Sequence, residues 1–220
     1  YFRFVTDPSV FKDVKANWRR VRDGKHPGEQ LMFQPRSSGD SGEIWQPLSD
    51  PKDPDSLVSL TIPETKVTHP VTSIPRDDAE AFCAWLSKKS GLVVRLPTRA
   101  EWQTAANAGD NERLYPWGEV FDGALAVTAF TSPEQPRPAR DCVTDVGPFG
   151  HLGLAGNVRE WLGDRNTASD ARAAGVHGAL VAGGGFGDDR PEQFQTTFTE
   201  SVPPTAIFAP IGFRVLVEIP

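Results

Sequence analysis

Few residues in this chain are of types that do chemistry by themselves. It has two cysteines, Cys83 and Cys142, and four histidines, His26, His69, His151 and His177. Thiolates and imidazoles bind copper, iron and zinc, and a thiolate is also a redox nucleophile. Neither set has a spacing that points to those roles. No C-x-x-C occurs, which excludes a zinc ribbon, and two cysteines cannot build a disulfide framework. The histidines are far apart, so a metal site would have to gather them in space. The most suggestive polar group is Asp188-Asp189-Arg190, beside the glycine-rich turn Gly183-Gly184-Gly185-Phe186-Gly187. It reads either as a binding surface or as an exposed turn with local Asp–Arg pairing.

Composition narrows the choice. Across 220 residues, 29 acidic side chains face 23 basic ones, for a formal charge of −6. An acidic chain without a Lys/Arg cluster lacks the electrostatic footprint of a nucleic-acid binder. Arg19, Arg20 and Arg22 are the densest basic group and read as a solvated helix face. No run of 18 apolar residues exists, so no membrane span is expected, and no basic-then-apolar segment marks a signal peptide. The length suits one domain, taken as 1–220. Glycine and proline number 20 each, which disfavours long helices and a regular parallel sheet. A loop-rich α+β domain is expected, its core drawn largely from six Trp and thirteen Phe.

The elements that would position these residues follow from local pattern. Asp7-Pro8 opens a helix over 7–22, with Val10, Phe11, Val14, Trp18 and Val21 at helical spacing. Residues 24–63 are rich in Pro, Gly, Ser and Asp and read as a long surface loop, with one short strand near Leu57–Ile62. A second helix spans 76–90, capped by Asp77, faced by Ala79, Phe82, Cys83 and Leu86, and stopped by Gly91. Val93–Leu96 is a strand. Thr98-Arg99-Ala100-Glu101 is a capping box that starts a helix through Ala106, with Trp102, Ala105 and Ala106 inward. Leu180–Phe186 and Gly212–Val217 read as strands.

Several segments together carry a resemblance. They are His69-Pro70-Val71, the helix Asp77–Leu86, Arg95-Leu96-Pro97-Thr98-Arg99-Ala100-Glu101-Trp102, Tyr115-Pro116-Trp117-Gly118, Leu154-Ala155-Gly156-Asn157-Val158-Arg159-Glu160-Trp161 and Gly212-Phe213-Arg214-Val215. In this order they resemble the formylglycine-generating-enzyme family, the sulfatase-modifying-factor domain, over roughly residues 66–217. The resemblance implies an irregular α+β domain of the C-type-lectin-like kind, with two or three helices around a small, mostly antiparallel sheet. Tyr1–Val5 resembles the end of the family's first segment. The β-hairpin that usually precedes it has no counterpart here, which suggests a piece of a longer protein or a strand supplied by another chain.

The resemblance also carries chemistry. Active members bind copper through two cysteines just after a glycine-rich motif; counted from Gly183–Gly185, Asp188 and Gln193 stand at those positions. Asp and Gln do not bind Cu(I) as a thiolate pair does. Iron-dependent sulfoxide synthases of the family use a histidine motif absent from this chain. A family calcium site maps to Gly156, Val158 and Glu160, with Gly153 where a further oxygen donor is usual; the family's other calcium loop is not recognisable near Arg140–Val146, although Asp141 and Asp145 are present there. Otherwise Glu160 pairs with a nearby arginine or caps backbone N–H groups; Arg95 and Arg214 are expected to hold loops by forked hydrogen bonds. The expectation is a non-catalytic binding or interaction domain, with Asp188, Asp189, Arg190 and Gln193 as its ligand-binding residues and a protein or peptide as partner. Similar domains are attached to bacterial serine/threonine kinases. The alternative is a metal-dependent oxidoreductase of altered chemistry, with a metal on residues such as Asp188, His151 or His177. A third reading is a structural subunit assembled through the 24–63 insertion.

Overall fold

The structure is a computed structural model; it describes residues 49–50, 53–57, 69–133, 135–165, 178–206 and 210–219. The chain divides into two compact units, Tyr1–Val67 and Thr68–Pro220. In the first, β1 (Ser49–Asp50) pairs antiparallel with β2 (Asp53–Leu57). β2 reaches Leu57, the first residue of the strand expected near Leu57–Ile62; residues 58–62 fall outside the described residues. The expected helix over 7–22 and the rest of the 24–63 loop fall outside the described residues.

The described residues of the second unit hold two α-helices. Helix α1 (Arg76–Ser90) has the expected bounds but a different start. Asp77 does not cap it. Pro75 is the N-cap, in extended backbone and without a side-chain bond, and the Arg76 N–H donates instead to the Pro204 carbonyl at 2.9 Å. A proline pre-set near −65° and an external acceptor replace the usual side-chain cap. Asp77 is exposed in the first turn. Ala79 and Cys83 are buried, while Phe82 and Leu86 are half-buried, Phe82 packing edge-on against Phe213. Gly91 closes the helix in the left-handed conformation. Helix α2 (Arg99–Asn107) starts from the expected capping box: Thr98 accepts from the Glu101 N–H, and the Glu101 carboxylate accepts from the Thr98 N–H at 2.8 Å. Trp102 and Ala106 are buried and Ala105 half-buried.

Among the described residues, two sheets hold the unit. In the smaller, β3 (Val93–Arg95) pairs antiparallel with β8 (Leu216–Glu218). The larger has the order β6-β5-β4-β7, from β4 (Arg159–Arg165), β5 (Ala179–Ala182), β6 (Thr199–Val202) and β7 (Ile211–Gly212). Only β4–β7 is parallel. The strand expected over 180–186 stops at Ala182, because Gly183 and Gly184 take φ of +91° and +66° and turn the chain out of the sheet. The expected strand over 212–217 is two strands in two sheets, and Phe213–Val215 between them belongs to neither.

Trp102, Ala106, Leu154, Leu162 and Ala182 form one core cluster between α2 and the larger sheet. Tyr115, Ala126, Ala155 and Phe194 form another under the long loops. Burying each large aromatic contributes roughly 2–3 kcal/mol. Among the described residues no helix is long and apolar enough to cross a membrane.

Candidate functional site

Two polar centres flank the start of β4, and both are built from the sequence motifs. In the first, Glu160 is only 5% exposed. Its Oε1 accepts from Arg214 Nη2 at 2.7 Å; its Oε2 accepts from Arg214 Nε and from Trp102 Nε1, the latter at 2.7 Å. Arg214 Nη2 also donates to the Leu152 and Gly153 carbonyls at 3.2 and 3.1 Å. One guanidinium thus joins the 212–217 segment, β4 and the loop before it. Arg214 lies in the three-residue interval between β7 and β8.

The backbone around Glu160 is equally constrained. Gly156 has φ +90°, and a Cβ there would lie 2.5 Å from the Val127 carbonyl oxygen. Asn157 follows at φ +62°, and its side-chain amide accepts from the Arg137 N–H and donates to the Arg137 carbonyl. Asparagine tolerates that conformation better than other side chains. Asp145 lies below this loop, 1% exposed, with Oδ2 accepting from the Ala155 N–H at 2.6 Å and Oδ1 buried without a partner. Burial is the largest influence on it and pushes its carboxyl up to about 7, against the pull of the Ala155 and Leu154 N–H groups and Arg214.

These contacts bear on calcium. Glu160, the one carboxylate of the expected Gly156, Val158 and Glu160 set, has both oxygens taken by N–H donors, two of them on a cation. A calcium ion needs six to eight oxygens and would have to displace Arg214. Glu160 does not fit that role in this arrangement. Among the described residues no three of His, Cys, Asp and Glu converge on one point.

The second centre lies at the glycine-rich turn. Asp188 does not pair with Arg190. Its carboxylate takes a two-point bond from Arg159, at 2.6 Å from Nη2 and 2.9 Å from Nε, and a third from the Gly185 N–H at 2.7 Å. Arg159 Nη1 in turn reaches Glu200 at 2.8 Å. Sequence neighbours suggested a local pair; the sheet brings Arg159, on β4, underneath the turn. Gln193 is 5% exposed inside a 3₁₀ turn at Pro191–Phe194, its Oε1 accepting from the Arg190 N–H at 3.2 Å. Of the four expected ligand-binding residues, Asp189 and Arg190 are exposed while Asp188 and Gln193 serve the turn itself.

The cysteines are not part of either arrangement as a pair. Both are free and buried, Cys83 on α1 and Cys142 beneath the loop that carries Gly153. Burial, aided by Glu80 for one and by Asp145 and Asp141 for the other, pushes each thiol up to about 11. A thiol so raised is protonated at neutral pH and is a poor nucleophile and metal ligand. His151 is exposed and meets Phe149 edge-on at 6.4 Å; His26 and His177 lie outside the described residues.

Sequence reasoning missed one surface feature. Tyr115 stacks on Trp117 at 5.4 Å and 9°, and Phe121 joins Tyr115, Phe194 and Phe130 at 5.4, 5.9 and 5.3 Å. The ladder runs from fully buried Phe194 to Phe130, which is 51% exposed; Val120, which precedes Phe121 in the chain, is 78% exposed. The aromatic spacing was visible, but spacing does not say which rings end outside.

Comparison with known proteins gives these observations a setting. A family model described as "Sulfatase-modifying factor enzyme 1-like domain" matches residues 21–219. A cattle (Bos taurus) protein named inactive C-alpha-formylglycine-generating enzyme 2 is 32% identical over 123 residues, 52% of this chain and 39% of its own length. The cattle formylglycine-generating enzyme is 31% identical over 152 residues, 62% of this chain and 38% of its own. The chain therefore spans less than two fifths of these relatives. Among solved structures, Treponema denticola variable protein 1 superposes with a TM-score of 0.57 at 20% identity, over 70% of this chain and 73% of that one. CarF superposes with a TM-score of 0.57 at 21% identity, over 72% of each chain. These likenesses establish the fold as the irregular, C-type-lectin-like α+β arrangement.

Proposed function

The chain belongs to the sulfatase-modifying factor enzyme 1-like domain family, and from that membership we propose that it is a non-catalytic binding or interaction domain that keeps the family scaffold without its thiol chemistry. One observation carries the reading. The two positions counted as those of the family's cysteines, Asp188 and Gln193, are spent on internal bonding: Asp188 on Arg159 and the Gly185 N–H, Gln193 on the Arg190 N–H. The two thiols the chain does have are buried and held protonated. A relative named as inactive supports the reading, and relatives named as the enzyme make it a point to test. The exposed Asp189 and Arg190 remain as ligand-facing groups, and a protein or peptide partner is the proposed ligand class.

The test is metal content and turnover. The purified chain is offered Cu(I) or Fe(II) anaerobically, dialysed, and analysed for copper, iron, zinc and calcium, then assayed for oxygen uptake with a cysteine-containing peptide. Substoichiometric copper and iron with no uptake are expected. Stoichiometric copper or iron together with peptide-dependent uptake overturns the proposal and makes the chain an oxidase with a different ligand set.

A further inference from the structure

The aromatic ladder ends on a surface whose charges say what covers it. Phe121 and Phe130 form its outer part, exposed Val120 precedes Phe121 in the chain with its carbonyl accepting from Trp117 Nε1, and the 119–132 and 187–192 segments are joined by the Ala129 N–H, which donates to the Asp188 carbonyl at 3.0 Å. The exposed charged residues of these two segments are Glu119, Asp122, Asp189 and Glu192 on one side and Arg190 on the other. Ordered 3₁₀ turns at Gly123–Leu125, Ala129–Thr131 and Pro191–Phe194 hold the face. Phe121 is pinned between Phe194 and Tyr115, so little ordering is left to be lost when a partner arrives.

We infer that this face docks a basic peptide segment, one in which Lys or Arg alternates with an aromatic or long aliphatic side chain. The apolar side chain lies over Val120 and Phe130, excluding water from rings that are otherwise wet. The cationic groups meet Glu119, Asp122, Asp189 and Glu192, and a guanidinium also stacks on an aromatic face. In these two segments an acidic partner meets four exposed carboxylates against one exposed arginine. The inference rests on the reading of the chain as a binding domain and names the partner class for its exposed Asp189 region.

The test uses three defined peptides: KLRFKLR, its acidic counterpart ELEFELE, and the polar basic control KSRSKSR. Binding to the full chain is followed by calorimetry at 50 and 300 mM salt. The first peptide is expected to bind, the second not, and the third at least tenfold more weakly. Binding by the first weakens with salt. Val120→Ser and Phe130→Ser each weaken it about tenfold, and Glu119→Lys with Asp189→Lys does the same. Val120, Glu119 and Asp189 are exposed, so these variants keep the fold, which a thermal melt verifies. Equal binding of all three peptides, no binding by any, or an affinity indifferent to the variants overturns the inference. So does salt-independent binding of cellohexaose, run as a neutral ring-stacking control, at the same face. Metal content is read separately, so an oxidase result overturns the non-catalytic reading while the peptide result stands or falls by itself.

Discussion

Arg214 and Glu160, 54 residues apart, meet as a two-point ion pair inside the domain, with Glu160 also holding the Trp102 indole N–H. A buried pair of this kind contributes little net stability over an apolar filling, but half of it is costly, because the remaining charge is stranded. Its value here is geometric: it fixes which segments meet.

Arg214→Ala is therefore expected to destabilise the chain by about 3–5 kcal/mol, and Glu160→Gln by less, since the amide oxygen still accepts from Trp102. The double variant should cost less than the two singles together. Urea unfolding of the three variants checks this; additive costs would mean that the pair does not act as a unit.

The buried Asp145 makes a pH prediction. Its carboxyl rises from 3.8 to about 7 on folding, so the folded state holds a proton that the unfolded state releases. Its favourable contribution is full below pH 4 and is lost as pH rises through about 7. Asp145→Asn keeps an oxygen for the Ala155 N–H and has no charge to bury. The variant's stability relative to the parent should grow by a few kcal/mol between pH 4 and 8. A gap that stays flat with pH would show that Asp145 is ionised in the fold.

Two glycines separate strain from collision. Gly91 has φ +73° with nothing within 4 Å of a Cβ, so Gly91→Ala should cost about 1 kcal/mol. Gly156 has φ +90° and the Val127 carbonyl in the way, so Gly156→Ala should cost at least twice that, about 2–4 kcal/mol. Thermal melts of the two variants give the comparison.

Thiol labelling tests the cysteines. With both thiols buried and pushed up to about 11, a disulfide reagent at pH 7.4 should modify neither in the folded chain and both in guanidinium. Rapid modification of either in the native state would reopen thiol chemistry.

The sequence made helix termini and forked arginines readable, because both rest on short-range or pairwise chemistry. Thr98 and Glu101 are three residues apart and close their box locally. Arg95 was expected to reach carboxylates, and it grips both oxygens of Glu101 at 2.7 Å and reaches Glu218 at 2.8 Å. What escaped were choices made by distant segments. Asp188 has Arg190 two positions away, yet it takes Arg159, which only the sheet brings near. The 213–217 alternation reads as one strand because nothing local reveals that its two ends pair with different partners, β4 and β3, in different sheets. Asp77 satisfies the rules for a cap, but Pro75 and the Pro204 carbonyl had already supplied what a cap provides.

The splitting of the 211–218 segment has a consequence for biosynthesis. β7 completes the larger sheet and β8 completes the smaller one, through partners as far back as Val93. Until these residues leave the ribosome, Glu160 lacks its arginine and β3 lacks its only strand neighbour among the described residues. At translation rates of about 5–20 residues per second, the nascent chain carries that open seam for roughly 6–25 s. Throughout that interval a chaperone or a misplaced strand has access to the seam, and the closing residues act as a latch that ends the exposure in one step.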